Sequence, residues 1–167
     1  MQQEAGFSAA LRRRFPVETF ILLARDGAGK DNPITVNWVM RTSGDPPLLA
    51  VAIAYPRYSY EVVRQAGAFV IAAPSMAMEE ETRFFGTVSG RDHDKLAERE
   101  SATEPAGQVE TVLLSEAVLN IECVLESEFE TGDHAVFVGR VVAGHVNADS
   151  SVERLYTVGP GHRFGSL

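Results

Sequence analysis

One cysteine in 167 residues, Cys123, leaves no partner for an internal disulfide and no thiol cluster for a metal ion. Lysine and arginine number 15 against 23 aspartates and glutamates, a formal net charge of -8, which argues against a broad surface for a phosphate backbone. No apolar run approaches the roughly 20 residues of a membrane span. Arg12, Arg13 and Arg14 are not followed by the apolar stretch of a secretory signal. These absences lead to the expectation of a cytoplasmic protein with neither nucleic-acid nor membrane partners. HExxH, CxxC, GxSxG, GxGxxG and Walker-type loops are missing too, and His93, His134, His145 and His162 lie far apart without ligand spacing. No metal site is expected, and hydrolase chemistry has no support. A cofactor that carries its own reactivity fits such a chain better, because the protein then needs only to bind and orient it.

What is present reads as strands. Runs rich in Val, Ile, Phe and Ala predict strands over 16–24, 34–42, 48–54, 68–73, 118–130 and 135–146. Asp26-Gly27 between the first two has hairpin-turn chemistry, and Gly44-Asp45-Pro46-Pro47 ends the second. In the fifth run Leu119, Ile121, Cys123, Leu125 and Phe129 alternate with Asn120, Glu122, Glu126 and Glu128, which predicts one wet face, with Cys123 a small buried apolar side chain. Thr131-Gly132-Asp133 then turns the chain into the sixth run.

Helical pieces are short. Ser59 is expected to cap a helix over 60–65 that stops at Gly67, and Ser75 one over 76–85 that stops at Gly86. Asp92 or Asp94 would open a third over 95–99, and 101–108 reads as a surface loop. No repeated βα unit is long enough for a doubly wound sheet. The expected fold class is therefore all-β and mainly antiparallel, a barrel with short peripheral helices.

Four segments carry candidate chemistry. Pro56-Arg57-Tyr58-Ser59-Tyr60 joins a guanidinium, a hydroxyl and the free amides of a helix start, all phosphate-binding elements; the same residues also read as a plain helix cap with Arg57 in solvent. Ser89-Gly90-Arg91-Asp92-His93-Asp94-Lys95 is a glycine turn with two cations, able to reach an anion or simply to lie in water. Asn37, beside the single Trp38 in an apolar run, either bonds neighbouring backbone or faces the edge of a flat heterocycle. Gly132-Asp133-His134 also reads as a plain turn.

Taken in order, Asp26-Gly27, Asn32-Pro33-Ile34-Thr35-Val36-Asn37-Trp38, Asp45-Pro46-Pro47-Leu48, Arg57-Tyr58-Ser59-Tyr60, Phe69-Val70-Ile71, Gly86, Ser89-Gly90-Arg91, Asp94-Lys95, Glu122-Cys123 and Gly132-Asp133-His134 through Val141 resemble the flavin reductase family. The likeness runs from about Val17 to Val146. It implies a Greek-key, FMN-binding split barrel formed by residues 1–167 as one domain, with 1–14 as a flexible or dimer-contacting arm. It further implies a homodimer with FMN near the interface. By that likeness Thr35, Asn37, Trp38, Val39 and Ser43 would lie along the isoalloxazine. Ala54, Arg57 and Ser59 would hold the ribityl phosphate region, Ser89, Arg91 and Lys95 would add hydroxyl and charge, and His134 would sit where nicotinamide stacks. The implied activity is NAD(P)H:flavin reduction, with NADH or NADPH as co-substrate, FMN or alternatively FAD or riboflavin as flavin, and a monooxygenase as one acceptor. Alternatives are a flavoredoxin-like electron carrier, a split-barrel protein for another cofactor such as haem, and a barrel without cofactor serving as an interaction module. Phe84 and Phe85 stand where many relatives have Cys before the glycine matching Gly86, so no thiol acts there; Ala24 and Arg25 replace common threonines.

Overall fold

The computed structural model describes residues 1–167. A short helix, α1 (Phe7–Leu11), has no buried residue. It leads into β1 (Val17–Glu18), β2 (Phe20–Arg25), β3 (Asp31–Val36), β4 (Val39–Gly44) and β5 (Pro47–Ala54). Then come α2 (Tyr58–Ala66), β6 (Ala68–Ala73), a 3-10 turn (Met76–Met78), α3 (Glu79–Thr87) and α4 (Lys95–Glu98). The chain continues with β7 (Thr103–Pro105), β8 (Val112–Leu114), β9 (Leu119–Thr131), β10 (His134–Val146), β11 (Tyr156–Gly159) and β12 (Arg163–Gly165). No helix is long and apolar enough to cross a membrane.

Seven strands form one antiparallel sheet in the order β3-β2-β6-β9-β10-β5-β4. Its two edge strands are consecutive in the chain, joined by Asn37 and Trp38 alone. Laid flat, seven strands at about 4.8 Å spacing would hold those edges roughly 29 Å apart, far beyond what two residues at about 3.5 Å each can bridge. The sheet must therefore roll into a barrel that is split between β3 and β4. That seam is also why the expected strand over 34–42 breaks in two: propensity is continuous, but the chain has to pass from one edge to the other.

The Asp26 side chain builds the first hairpin, its Oδ1 accepting from the amides of Ala28 and Lys30 at 2.9 Å each, and Gly29 rather than Gly27 takes the positive φ. Gly132, at φ +57, turns β9 into β10 as expected. Alternate residues of β2 and β6 point to opposite sides. Phe20, Leu22, Ala24, Phe69 and Ile71 fill the barrel with Phe137 and Cys123, whereas Ile21, Leu23, Val70 and Ala72 pack outward on Met78, Phe85 and Leu114. Burial pushes the Cys123 thiol up to about 12, so it is an inert filler.

Gly139 admits Phe69 and Cys123 into the barrel: a Cβ there would lie 2.5 Å from Phe69 Cζ and 2.8 Å from Cys123 Cβ. Gly139→Ala is expected to destabilise the fold by about 2–3 kcal/mol through overpacking, read as a lower urea midpoint at unchanged slope.

The outward layer overturns the expected wet face of residues 118–130 at Asn120 and Glu122, while Glu126 stays exposed and Glu128 partly so. Asn120 is buried, with Oδ1 accepting from the Leu114 amide at 3.0 Å and Nδ2 donating to the Leu114 carbonyl at 3.1 Å. Glu122 is fully buried and accepts from the amides of Gly107 (3.0 Å), Gln108 (2.6 Å) and Val109 (3.1 Å), with His145 Nε2 2.7 Å away. Burial alone would raise its pKa, but the hydrogen bonds from His145, Gln108 and Gly107 outweigh that and hold it below the ordinary carboxylate range. A polar residue at strand period thus marks an anchor under a second layer, which strand periodicity cannot distinguish from solvent exposure. The same layer converts part of the expected loop 101–108 into β7, paired with β8. Beyond Val146, β11 and β12 join β1 in a small sheet that the sequence patterns do not announce.

The helix caps also differ from expectation. Arg57 rather than Ser59 occupies the cap of α2, no side chain caps its first amides, and Gly67 ends it at φ +63 as expected. Ser75 makes no side-chain cap either, and α3 runs through Gly86 to Thr87. Asp94 does cap α4, accepting from the Ala97 amide at 3.2 Å.

Candidate functional site

The seam between β3 and β4 opens into a cleft of about 200 Å3 lined by Ile34, Thr35, Val36, Asn37, Trp38, Ala54, Arg57 and His134, with Ala52 and Ile53 behind. Asn37 and Trp38 fall outside both strand ladders; the Trp38 carbonyl accepts from the Ala52 amide at 3.0 Å, while the amides of Asn37 and Trp38 take no backbone partner. Thr35 Oγ1 donates to the Thr82 carbonyl at 2.6 Å, tying α3 to β3, and Gly86 lies close enough that a Cβ would stand 3.3 Å from Thr35 Cβ. Asn37 Nδ2 donates to the Glu18 carbonyl (2.8 Å) and to Thr157 Oγ1 (3.0 Å), so its NH2 group serves the framework and not a ligand. At the other wall the His134 ring lies 4.6 Å from that of Trp38, tilted by 34°, and its Nδ1 is 2.6 Å from Asp133 Oδ1. That contact with His134 is the main reason the Asp133 carboxyl sits below its usual range.

A second hollow of about 160 Å3 adjoins the cleft, sharing Ile34 and Arg57 and adding Tyr58, Ser59, Ser89, Gly90 and Lys95. Here α2 begins, with its uncapped amides and the positive end of its dipole. Lys95 is only 2 % exposed. Two of its ammonium protons reach the Phe85 and Val88 carbonyls, at 3.2 and 3.5 Å, and no carboxylate is among its partners. Burial, then the charges of Arg57 and Lys30, lower its pKa to about 8. Three cations converge here and none of them is in a salt bridge, although Lys30 lies near enough to Asp26 to help hold that carboxyl below its usual range. A buried ammonium without a counter-ion at a helix N-terminus is a place prepared for an anion.

Nine of the twelve candidate residues line these two hollows. Thr35, Asn37, Trp38, Ala54 and His134 line the cleft, Ser59, Ser89 and Lys95 the second hollow, and Arg57 both. Val39 lies just across the seam, in an apolar hollow with Trp38, Met40, Ala50, Val51, Ala52 and Val136. Ser43 and Arg91 do not join them. Ser43 pairs with Leu48 near the end of β4, and Arg91 reaches Glu61 at 3.3 Å and stacks over Tyr58. The sequence reading missed Lys30, whose Nζ donates to the Gly90 and His93 carbonyls, and Asn32, whose Nδ2 donates to Ser59 Oγ. A lysine after a turn glycine carries no local signal that it will anchor a loop 60 residues later. A more spacious hollow of about 540 Å3, lined by Arg25, Gln65, Gln108 and Glu110 among others, has no such convergence, since its arginine is paired with Asp31 at 2.8 Å.

The family profile described as flavin reductase like domain matches residues 12–161. The chain belongs to the flavin reductase like family. Among relatives of this flavin reductase like chain, an uncharacterised protein of Archaeoglobus fulgidus is 32% identical over 77% of this chain and 71% of its own length. An NADH-dependent FMN reductase of Streptomyces nodosus subsp. asukaensis is 32% identical over 83% of this chain and 74% of its own. The crystal structure of flavoredoxin from Methanosarcina acetivorans superposes with a TM-score of 0.88 over 100% of this chain and 91% of that one, at 22% identity, and so shares the split-barrel fold.

Proposed function

We propose that the two adjoining hollows bind FMN and that the chain uses it as an NAD(P)H:flavin reductase. The observation that carries this reading is the counter-ion-free Lys95, set with Arg57 and the N-terminus of α2 at the end of the seam cleft. A phosphorylated heterocycle matches that division: apolar walls and free backbone for the ring, cations and amides for the phosphate. Thr35, Trp38 and Ala54 flank the ring, Arg57, Ser59, Ser89 and Lys95 hold the phosphate, and His134 covers the side open to nicotinamide. When bound, the isoalloxazine supplies the two-electron chemistry. The chain contributes orientation and water exclusion, which dominate a transfer that requires stacking more than acid–base residues. NADH or NADPH is the reductant, and a monooxygenase or another electron acceptor takes the reducing equivalents. Trp38 and Met40 are 49% and 64% exposed beside Val39 and Val136, a face suited to a second copy in a homodimer.

The test is a titration with FMN and riboflavin, followed by anaerobic mixing with NADH and NADPH. FMN is expected to bind more tightly than riboflavin, and Arg57→Ala to weaken FMN alone by roughly 1.5–3 kcal/mol, the worth of a charge-assisted contact. Rapid bleaching of bound flavin by a nicotinamide completes the case. Equal binding of the two flavins, or a Soret band in the purified protein, sinks it; tight FMN with negligible bleaching makes the protein an electron carrier.

A further inference from the structure

Ser59 is 3% exposed and Asn32 2% exposed, yet each keeps an unused polar capacity. Asn32 lies in β3 opposite Ala24, and its Nδ2 donates to Ser59 Oγ at 2.8 Å, across from strand to helix start. Its own Oδ1 is buried with no hydrogen-bond partner. That oxygen faces Gly90: a Cβ there would stand 1.8 Å from Oδ1, so only the Cα hydrogen of a glycine fits against it. The orientation has a physical cause. An oxygen can accept a weak C–H contact from Gly90, whereas the reverse orientation would bury two N–H donors against carbon.

The consequence falls on the Ser59 hydroxyl. Because Asn32 donates to Oγ, one lone pair is occupied and the hydroxyl proton is not spent on Asn32. Ser59 lines the second hollow with Arg57 and Lys95, and its proton is therefore free to be donated there. Lys30 fixes the other wall through the Gly90 and His93 carbonyls, so Asn32 touches both sides of the hollow, the α2 start and the Gly90 turn.

We propose that Asn32 is a positioning residue that holds the Ser59 hydroxyl as a donor to the phosphate of the bound ligand, making phosphate recognition depend on the pair and not on the cations alone. This rests on the phosphate reading above. Asn32 contacts no ligand itself; it acts through Ser59.

The experiment is a double-mutant cycle of Asn32→Ala and Ser59→Ala in the full chain, read as dissociation constants for FMN and for riboflavin by fluorescence. Each single variant is expected to weaken FMN about tenfold and to leave riboflavin within about twofold, and Asn32→Ala is expected to add less than about twofold in the Ser59→Ala background. Riboflavin binding by the same variants reports that the cleft is folded. Should Asn32→Ala fail to fold, the isosteric Asn32→Asp serves: its carboxylate accepts the Ser59 proton, and FMN weakens at least about tenfold with riboflavin unchanged. The inference is overturned by additive effects, by equal losses for both flavins, or by an Asn32 variant that keeps the full preference for FMN. A wild-type protein that does not prefer FMN to riboflavin overturns the phosphate reading as well, which separates the two failures.

Discussion

Replacing Glu122 with alanine is expected to lower the stability of the fold by about 2–3 kcal/mol. The carboxylate, itself fully buried, gathers the amides of Gly107, Gln108 and Val109 from a segment that runs along the surface, and faces the half-exposed His145. Removing it deprives three amide donors of their acceptor at once. Urea unfolding reads the loss, and hydrogen exchange should show the amides of residues 107–109 opening first. The sign with pH follows from the direction of the Glu122 shift. Its folded pKa is lower than the unfolded value of 4.5, so the contribution is complete above that value and disappears as the pH falls through the folded pKa. Glu122→Gln should remove that acid-side dependence.

Lys95→Met is expected to weaken FMN by roughly 1.5–3 kcal/mol and to change how stability depends on pH. The unfolded chain keeps this proton up to 10.5, whereas the folded chain releases it at about 8. Unfolding between those values takes up a proton, so the cost of burying the ammonium is full below about 8 and is relieved as the pH rises towards 10.5. The integrated difference is on the order of 3 kcal/mol. The wild type should therefore gain stability relative to Lys95→Met across that window, measured by paired urea titrations. FMN affinity should move the opposite way, falling as Lys95 loses its charge above pH 8. Both trends would have one origin: an ammonium ion kept dry for an anion.

Much of the barrel was legible because β2, β6, β9 and β10 carry strong strand patterns and the turns at Asp26 and Gly132 have distinctive chemistry. Local signals failed where tertiary closure decides. The break at Asn37-Trp38 has no glycine or proline to mark it and exists because two sheet edges must meet. Glu122 and Asn120 look like solvent-facing positions until β8 and the segment before it cover them. The candidate site shows the same division. Arg57 and Ser59 are visible at a strand-to-helix junction, and Lys95 follows a recognisable cap at Asp94. That Lys30 and Asn32 belong with them depends on β3 passing beneath both α2 and the Gly90 turn, contacts separated by 27 and 60 residues in the chain. Ser43 and Arg91 fail for the converse reason, since proximity in sequence to the cleft does not aim a side chain into it.

The seam has a mechanical meaning. Everywhere else around the wall each strand is braced by two neighbours, while β3 and β4 each present an unsatisfied margin to the gap between them. A rigid planar molecule with donors and acceptors along its rim would act there as a keystone, wedged into the one joint the polypeptide leaves unmortared and stiffening the cylinder by being held.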